Sequence, residues 1–188
     1  MHAPDPHLTD AERAAVIRLL TDSRAALLGA VEPLSDAQWS FKPDPDRWSI
    51  SEIVEHLGLV ERGLFRRVER ALARPADREW DASTDRKTEM IAQTLGDRVA
   101  RREAPAPVIP TGTVGRDEAL RIYTTRREAS LAFATTAREP LKAHTDDHHR
   151  PAIGTLNAYQ WLMYIPLHNL RHVQQIEEIT RSPAFPAS

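Results

Sequence analysis

The sequence predicts an all-α fold: a four-helix bundle with one long crossover connection and a short extra helix. Three observations carry this expectation. Four long segments repeat apolar residues at helical spacing. Two of them open on a Ser/Thr-x-x-Glu capping box, in which hydroxyl and carboxylate satisfy each other's orphan backbone N–H groups. No segment alternates apolar and polar residues well enough for a sheet, and there is neither an internal repeat nor a Gly-rich phosphate loop.

Thr9-Asp-Ala-Glu12 is the first capping box, and Val16, Leu20, Leu27 and Val31 then mark a helix over 10–31. Glu32-Pro33 ends it, because proline restricts its predecessor and cannot continue the hydrogen-bond ladder. Residues 34–48 read as a pinned connector with one helical turn after Ser35, and Trp39 and Phe41 plug one end of the core. Ser49-Ile-Ser-Glu52 opens a second helix of about 25 residues ending near Arg74-Pro75. Its stripe is Ile50, Ile53, Val54, Leu57, Val60, Leu64, Val68 and Leu72, with His56 at the edge beside Val60 and Gly63. Residues 76–85 read as polar loop, and 86–99 as the shorter helix with Met90, Ile91, Leu95 and Val99.

Three prolines and two glycines make 104–115 an extended crossover. Its length lets the following helix start at the same end of the molecule as its predecessor. That helix spans 117–137, with Leu120, Tyr123, Leu131 and Ala134 inward and Arg126-Arg127 at its middle. Residues 139–154 read as loop, and 155–180 as the last helix, kinked at Pro166.

A chain of 188 residues suits one domain. A single helical bundle is expected over 1–188, with 1–8 and 182–188 as loosely held tails. The 25 basic and 27 acidic side chains nearly balance, which argues against the basic stripe that nucleic-acid binding needs. Arg66-Arg67, Arg101-Arg102 and Arg126-Arg127 each have acidic neighbours and read as solvated helix faces. The chain has no cysteine, which removes disulfides, thiolate ligands and a cysteine nucleophile together. No run approaches a membrane span or a signal peptide, so a soluble cytoplasmic protein is expected.

Chemistry concentrates on the last helix. His168 and His172 lie one turn apart on the face that carries Trp161, Ile165, Gln175, Ile176 and Ile179. Spacing alone does not distinguish them, since His144 and His148 share it within a run that lacks helical periodicity. The apolar face does. His56 supplies a third imidazole from another helix, and three nitrogens can bind one divalent ion while leaving positions open for water or substrate. Nitrogen ligation suits zinc, nickel, iron or copper. Glu52, one turn before His56, reads as part of the capping box or as a general base beside the metal. Arg126 or Arg127 could hold a substrate carboxylate bidentately, or be ordinary surface charges.

Two blocks resemble the DinB-like proteins. Residues 41–57, Phe-Lys-Pro-Asp-Pro-Asp-Arg-Trp-Ser-Ile-Ser-Glu-Ile-Val-Glu-His-Leu, look like their second-helix signature. Residues 161–176, Trp-Leu-Met-Tyr-Ile-Pro-Leu-His-Asn-Leu-Arg-His-Val-Gln-Gln-Ile, look like their last helix, where a His-x-x-x-His pair precedes Gln. The resemblance implies a four-helix bundle with one long crossover, often dimeric, and one metal on three histidines. These carry over onto His56, His168 and His172. The family includes metal-dependent hydrolases and transferases acting with small thiols such as bacillithiol or mycothiol.

The expectation is therefore a divalent-metal enzyme, with zinc or nickel as the first candidates, acting on a small molecule through activated water or a thiol. The alternative is a non-catalytic dimeric bundle whose metal is structural or absent. Tyr159, Met163, Leu167 and Leu170 motivate the dimer, because they give the last helix a second apolar side that a partner could cover.

Overall fold

In the computed structural model, which describes residues 4–96 and 103–187, the helices are α1 (Asp10–Val31), α2 (Asp36–Ser40), α3 (Ile50–Leu72), α4 (Trp80–Thr84), α5 (Lys87–Gly96), α6 (Arg116–Thr136) and α7 (Ala158–Thr180). Both predicted capping boxes form. Thr9 Oγ1 accepts from the Glu12 N–H and Ser49 Oγ from the Glu52 N–H, each at 3.2 Å, while the glutamates accept from Thr9 N–H and Ser49 N–H at 2.8 and 2.7 Å. The single turn after Ser35 is α2, closed by its own box with Gln38. Trp39 is buried, and Phe41 packs against the same cluster.

The four long helices bury two apolar clusters, one above the other. Val16 and Leu20 of α1 meet Leu64 and Val68 of α3, Ala134 of α6, and Trp161, Leu162 and Ile165 of α7. At the other end Leu27 and Val31 meet Ile50, Ile53 and Leu57, then Ala119 and Tyr123, then Val173, Ile176 and Ile179. The N-terminal half of α1 is thus level with the C-terminal halves of α3 and α6 and with the N-terminal half of α7. It follows that α3 and α6 run parallel, as the long crossover allows, and that α3 and α7 run antiparallel. In contact, α3 lies between α6 and α7, and α1 closes the ring on the far side.

A polar layer lies between the clusters. Arg127 donates from Nε and Nη2 to Glu61 at 2.8 and 3.1 Å, and from Nη1 to the Leu20 carbonyl and Ser23 Oγ at 2.8 and 2.7 Å. Ser130 Oγ donates to Glu61 at 2.9 Å. Arg127 is completely buried, so this half of the Arg126-Arg127 patch is neither a solvated face nor a substrate clamp. Four hydrogen bonds hold its guanidinium inside the bundle.

Three segments depart from the sequence expectation. Residues 80–84, expected as loop, form α4, steadied by Asp77, whose carboxylate accepts from Glu79 N–H at 2.9 Å and Ser83 Oγ at 3.2 Å. Residues 145–147 and 155–157 form an antiparallel hairpin, β1 (Thr145–Asp147) and β2 (Thr155–Asn157), pairing Asp146 with Leu156. Three-residue strands are too short to show alternation. This one is pinned by Asp146, which is fully buried and lies 3.0, 2.6 and 3.1 Å from Arg67, Arg70 and Arg74 of the α3 side. Because β2 takes residues 155–157, α7 begins at Ala158 and not at 155, and Asn157 with Gln160 forms its capping box.

The shorter helix is α5, and the expected residues 97–99 with Val99, like Arg101-Arg102, lie outside the described residues. Near the ends, Lys142 N–H donates to the Pro6 carbonyl and Gln38 Nε2 to the Pro186 carbonyl, both at 3.0 Å. Phe185 meets Phe41 edge-on at 5.5 Å. The chain itself covers part of the second apolar side of α7, and Leu167 and Leu170 stay half-buried. Tyr159 and Met163 are buried, and Leu167 packs on the same cluster as Val16 and Ile91.

Candidate metal centre

Antiparallel packing of α3 on α7 sets His56 opposite His168 and His172. The ring centroids are 5.4 Å apart for His56–His168, 4.8 Å for His56–His172 and 4.6 Å for His168–His172. One nitrogen from each ring lies within 4.8 Å of the other two. These three residues form a donor set that could hold a metal ion, and no other such group occurs among the described residues. Trp48, just before the α3 capping box, packs on His56 at 4.7 Å and on His172 at 6.5 Å between centroids.

Hydrogen bonds fix which nitrogens are available. His56 Nδ1 lies 2.6 Å from the Val108 carbonyl, which only accepts, so Nδ1 carries the proton and Nε2 the lone pair. His172 Nδ1 lies 2.9 Å from Gln175 Oε1, which assigns its tautomer the same way. An imidazole whose second nitrogen donates to a carbonyl is the common orientation for metal ligands. Burial pushes the His56 pKa down against the opposing Val108 bond. His168 is driven well below the usual histidine value by burial, then by His172, His56 and Arg171. Neutral imidazoles are the form a metal needs.

The Val108 carbonyl belongs to the crossover, which α3 holds a few residues further along. Glu55 accepts from Thr111 N–H at 2.8 Å, Thr111 Oγ1 at 2.9 Å and Gly112 N–H at 3.0 Å. Neighbouring residues of one helix therefore anchor the strap and receive its carbonyl. Gly112 has φ +70°, a left-handed conformation that glycine adopts freely, and a Cβ there would meet Glu52 at ordinary contact distance.

The histidines open into a cleft of about 960 Å³ between α3, α7, the crossover and the loop after β1. As predicted, Val60 and Gly63 share its wall with His56, and Trp161 and Gln175 with the α7 pair. The other expected site residues lie elsewhere. Glu52 does not line the cleft. Its carboxylate caps α3 and accepts from Lys42 Nζ at 2.8 Å. Burial raises its pKa, but the Lys42 and Ser49 bonds prevail and hold it below the ordinary value, the wrong direction for a base working near neutrality. Arg126 donates to the Gly58 carbonyl and borders a separate hollow of about 210 Å³ with Arg62 and Arg66, while Arg127 is sealed against Glu61.

Sequence reading missed several cleft residues: Trp48, Tyr164 and the run His148-His149-Arg150. Tyr164 follows Trp161 and precedes His168 at helical spacing, a signal that was present. His148-His149-Arg150 had none, because only the Asp146 anchor brings that loop to α7. His144, the other member of the comparison pair, donates from Nδ1 to the Arg74 carbonyl at 2.9 Å.

Comparison with known proteins agrees with this architecture. A family model described as the DinB superfamily matches residues 19–176. The protein YuaE of Bacillus subtilis (strain 168), described as uncharacterized, is 23% identical over 163 residues, covering 86% of this chain and 94% of its own. Among solved structures, YfiT from Bacillus subtilis superposes with a TM-score of 0.63 at 17% identity, over 98% of this chain and 95% of that one. It is described as a probable metal-dependent hydrolase with an unusual four-helix bundle topology. At that identity the likeness shows the fold.

Proposed function

The chain belongs to the DinB superfamily, and from that premise we propose that it is a divalent-metal-dependent enzyme acting on a small molecule, with His56, His168 and His172 as the ligands. The observation that carries the reading is the convergence of three ring nitrogens within 4.8 Å at the wall of an open cleft. An all-imidazole donor set suits zinc, nickel, iron or copper, with zinc and nickel the first candidates. When bound, such an ion supplies Lewis acidity, easing loss of a proton from water or a thiol near neutral pH.

The chain's own residues supply the rest. Val108 and Gln175 orient two imidazoles and Trp48 packs against them. Three protein ligands leave room for a reactant, whereas structural zinc sites are usually closed by four. Hydrolysis with water and transfer to a small thiol both suit this arrangement. The absence of cysteine agrees with a nucleophile that arrives from solution.

The decisive experiment is elemental mass spectrometry on protein purified without a histidine tag, beside His56→Ala and His172→Ala. About one transition metal per chain is expected, lost in both variants. No metal after incubation with zinc and nickel would reject the reading, as would turnover unchanged in folded His172→Ala.

A further inference from the structure

The cleft extends well past the histidines, and its far end has a different chemistry. Along α7, Trp161, Tyr164 and His168 succeed one another on the cleft wall. The loop after β1 lays His148 flat on Trp161, with centroids 5.3 Å apart and planes at 11°, and His149 stacks on His148 at 4.3 Å. Arg150 lines the cleft beside them, half-buried. Its guanidinium has no carboxylate or hydrogen-bond acceptor among the described residues. Its backbone does the local work, the N–H donating to His148 Nδ1 at 3.0 Å.

The surroundings are electropositive. Arg67, Arg70 and Arg74 share the single carboxylate of Asp146, so positive charge is in excess beneath the loop. Arg67 also sits over the Trp161 ring at 5.5 Å. Two cleft carboxylates, Asp46 and Glu178, lie at the opposite, Trp48 end, where Glu178 is 3.8 Å from Arg47, and Glu103 lies on the crossover. Burial first, then His149, Arg150 and Arg67 for His148 and Arg150 and Arg67 for His149, push both below the usual histidine value, so the neutral rings prevail near pH 7. A half-buried guanidinium sharing a cleft with uncharged rings is a receptor for a planar acid.

We propose that Arg150 and the His148–Trp161–Tyr164 rings form a carboxylate-binding subsite, so that the substrate is an acid whose carboxylate lies about 10 Å from the group that reacts at the histidines. That length is the rise of α7 over the seven residues from Trp161 to His168 at 1.5 Å each. The spacing rests on the metal-enzyme reading above. The subsite itself does not.

Two titrations separate these. In metal-free protein, naphthoate and its neutral amide are compared by NMR, with the Trp161 indole N–H as reporter. Naphthoate should bind about tenfold more tightly, as one charge-assisted hydrogen bond predicts. Arg150→Gln should erase that preference, and Arg150→Lys retain part of it. Equal affinities in the wild type, a preference untouched by Arg150→Gln, or shifts confined to Trp48 would overturn the subsite. In cobalt(II)-loaded protein, mercaptooctanoate and mercaptooctanol are compared through the ligand-field bands. An acid preference that depends on Arg150 supports the spacing, and equal binding overturns it. Thiols that leave the bands unchanged, while naphthoate still prefers Arg150, count against the metal reading and leave the subsite standing.

Discussion

Glu61 is the most informative residue to change, because the sequence offered two roles for its partner Arg127 and the structure gives a third. Glu61 accepts three hydrogen bonds, from Arg127 Nε and Nη2 and from Ser130 Oγ, and both charged side chains are at most 3% exposed. Glu61→Gln keeps the shape and removes the charge, leaving a guanidinium in the bundle with only neutral acceptors. Breaking a buried pair in this way costs about 3–5 kcal/mol. Because Gln still offers one acceptor, the lower end, about 3 kcal/mol, is expected. For a chain of this length that is a fall in melting temperature of roughly 6–12 °C. Urea unfolding should show a lower midpoint with an unchanged slope. The double variant Glu61→Leu/Arg127→Met removes both charges together and should be more stable than either single variant. A cost below about 1 kcal/mol for Glu61→Gln would refute the reasoning. So would an Arg127→Met that unfolds like wild type but loses substrate binding.

Three further outcomes follow from other parts of the fold. Glu55→Ala releases Thr111 and Gly112 and with them the Val108 carbonyl that orients His56, so metal affinity measured against a competing chelator should fall by about tenfold or more, with helicity unchanged. His148 has its pKa pushed down from 6.5 to about 4, by burial first and then by His149, Arg150 and Arg67. The unfolded chain therefore takes up this proton more readily, and the stabilisation, complete above the unfolded value, is lost as pH falls from 6.5 toward 4. Urea unfolding across that range should show the decline, and His148→Phe should flatten it. Gly154 has φ +69°, and a Cβ there would come 2.9 Å from Lys87 Nζ, which donates to the Ile153 and Thr155 carbonyls. Gly154→Ala should cost about 1–2 kcal/mol by thermal unfolding, mostly from the left-handed backbone.

What could be read from the sequence was what is local or repeats along one helix. Thr9 with Glu12 and Ser49 with Glu52 announce their helix starts within four residues. The stripe from Ile50 to Leu72 fixes which side of α3 faces inward and leaves His56 at its edge. The three histidines could be assembled before the fold was known because each sits on a strongly periodic helix, and two such helices in one bundle can meet. What escaped depends on partners far apart in the chain. Arg127 finds Glu61 66 positions away, and nothing near Arg127 distinguishes it from its half-buried neighbour Arg126. Asp146 looks like one more loop aspartate until α3 brings up three arginines. The start of α7 escaped for a smaller reason, since its box is built from Asn157 and Gln160 and not from Ser/Thr and Glu.

The two seams of α3 explain why the chemistry falls on only one of them. Glu61 follows His56 by five residues, about 140° around the helix and 7.5 Å along it. One polar side chain therefore faces α6 and the other faces α7. On the α6 seam the buried charge pair is saturated, because Arg127, Ser130 and Ser23 give Glu61 and Arg127 permanent partners in the bundle. On the α7 seam the Val108 carbonyl takes one nitrogen of His56 and directs the lone pair of the other toward two more imidazoles. A parallel α3 and α6 require the long crossover, and that crossover brings Val108 to the α7 seam. The connection that lets α3 and α6 run parallel thus also orients the His56 imidazole. Moving Val108 without unfolding the bundle should change metal affinity and leave the Glu61–Arg127 layer intact, which divides the stability of the bundle from the chemistry of the cleft.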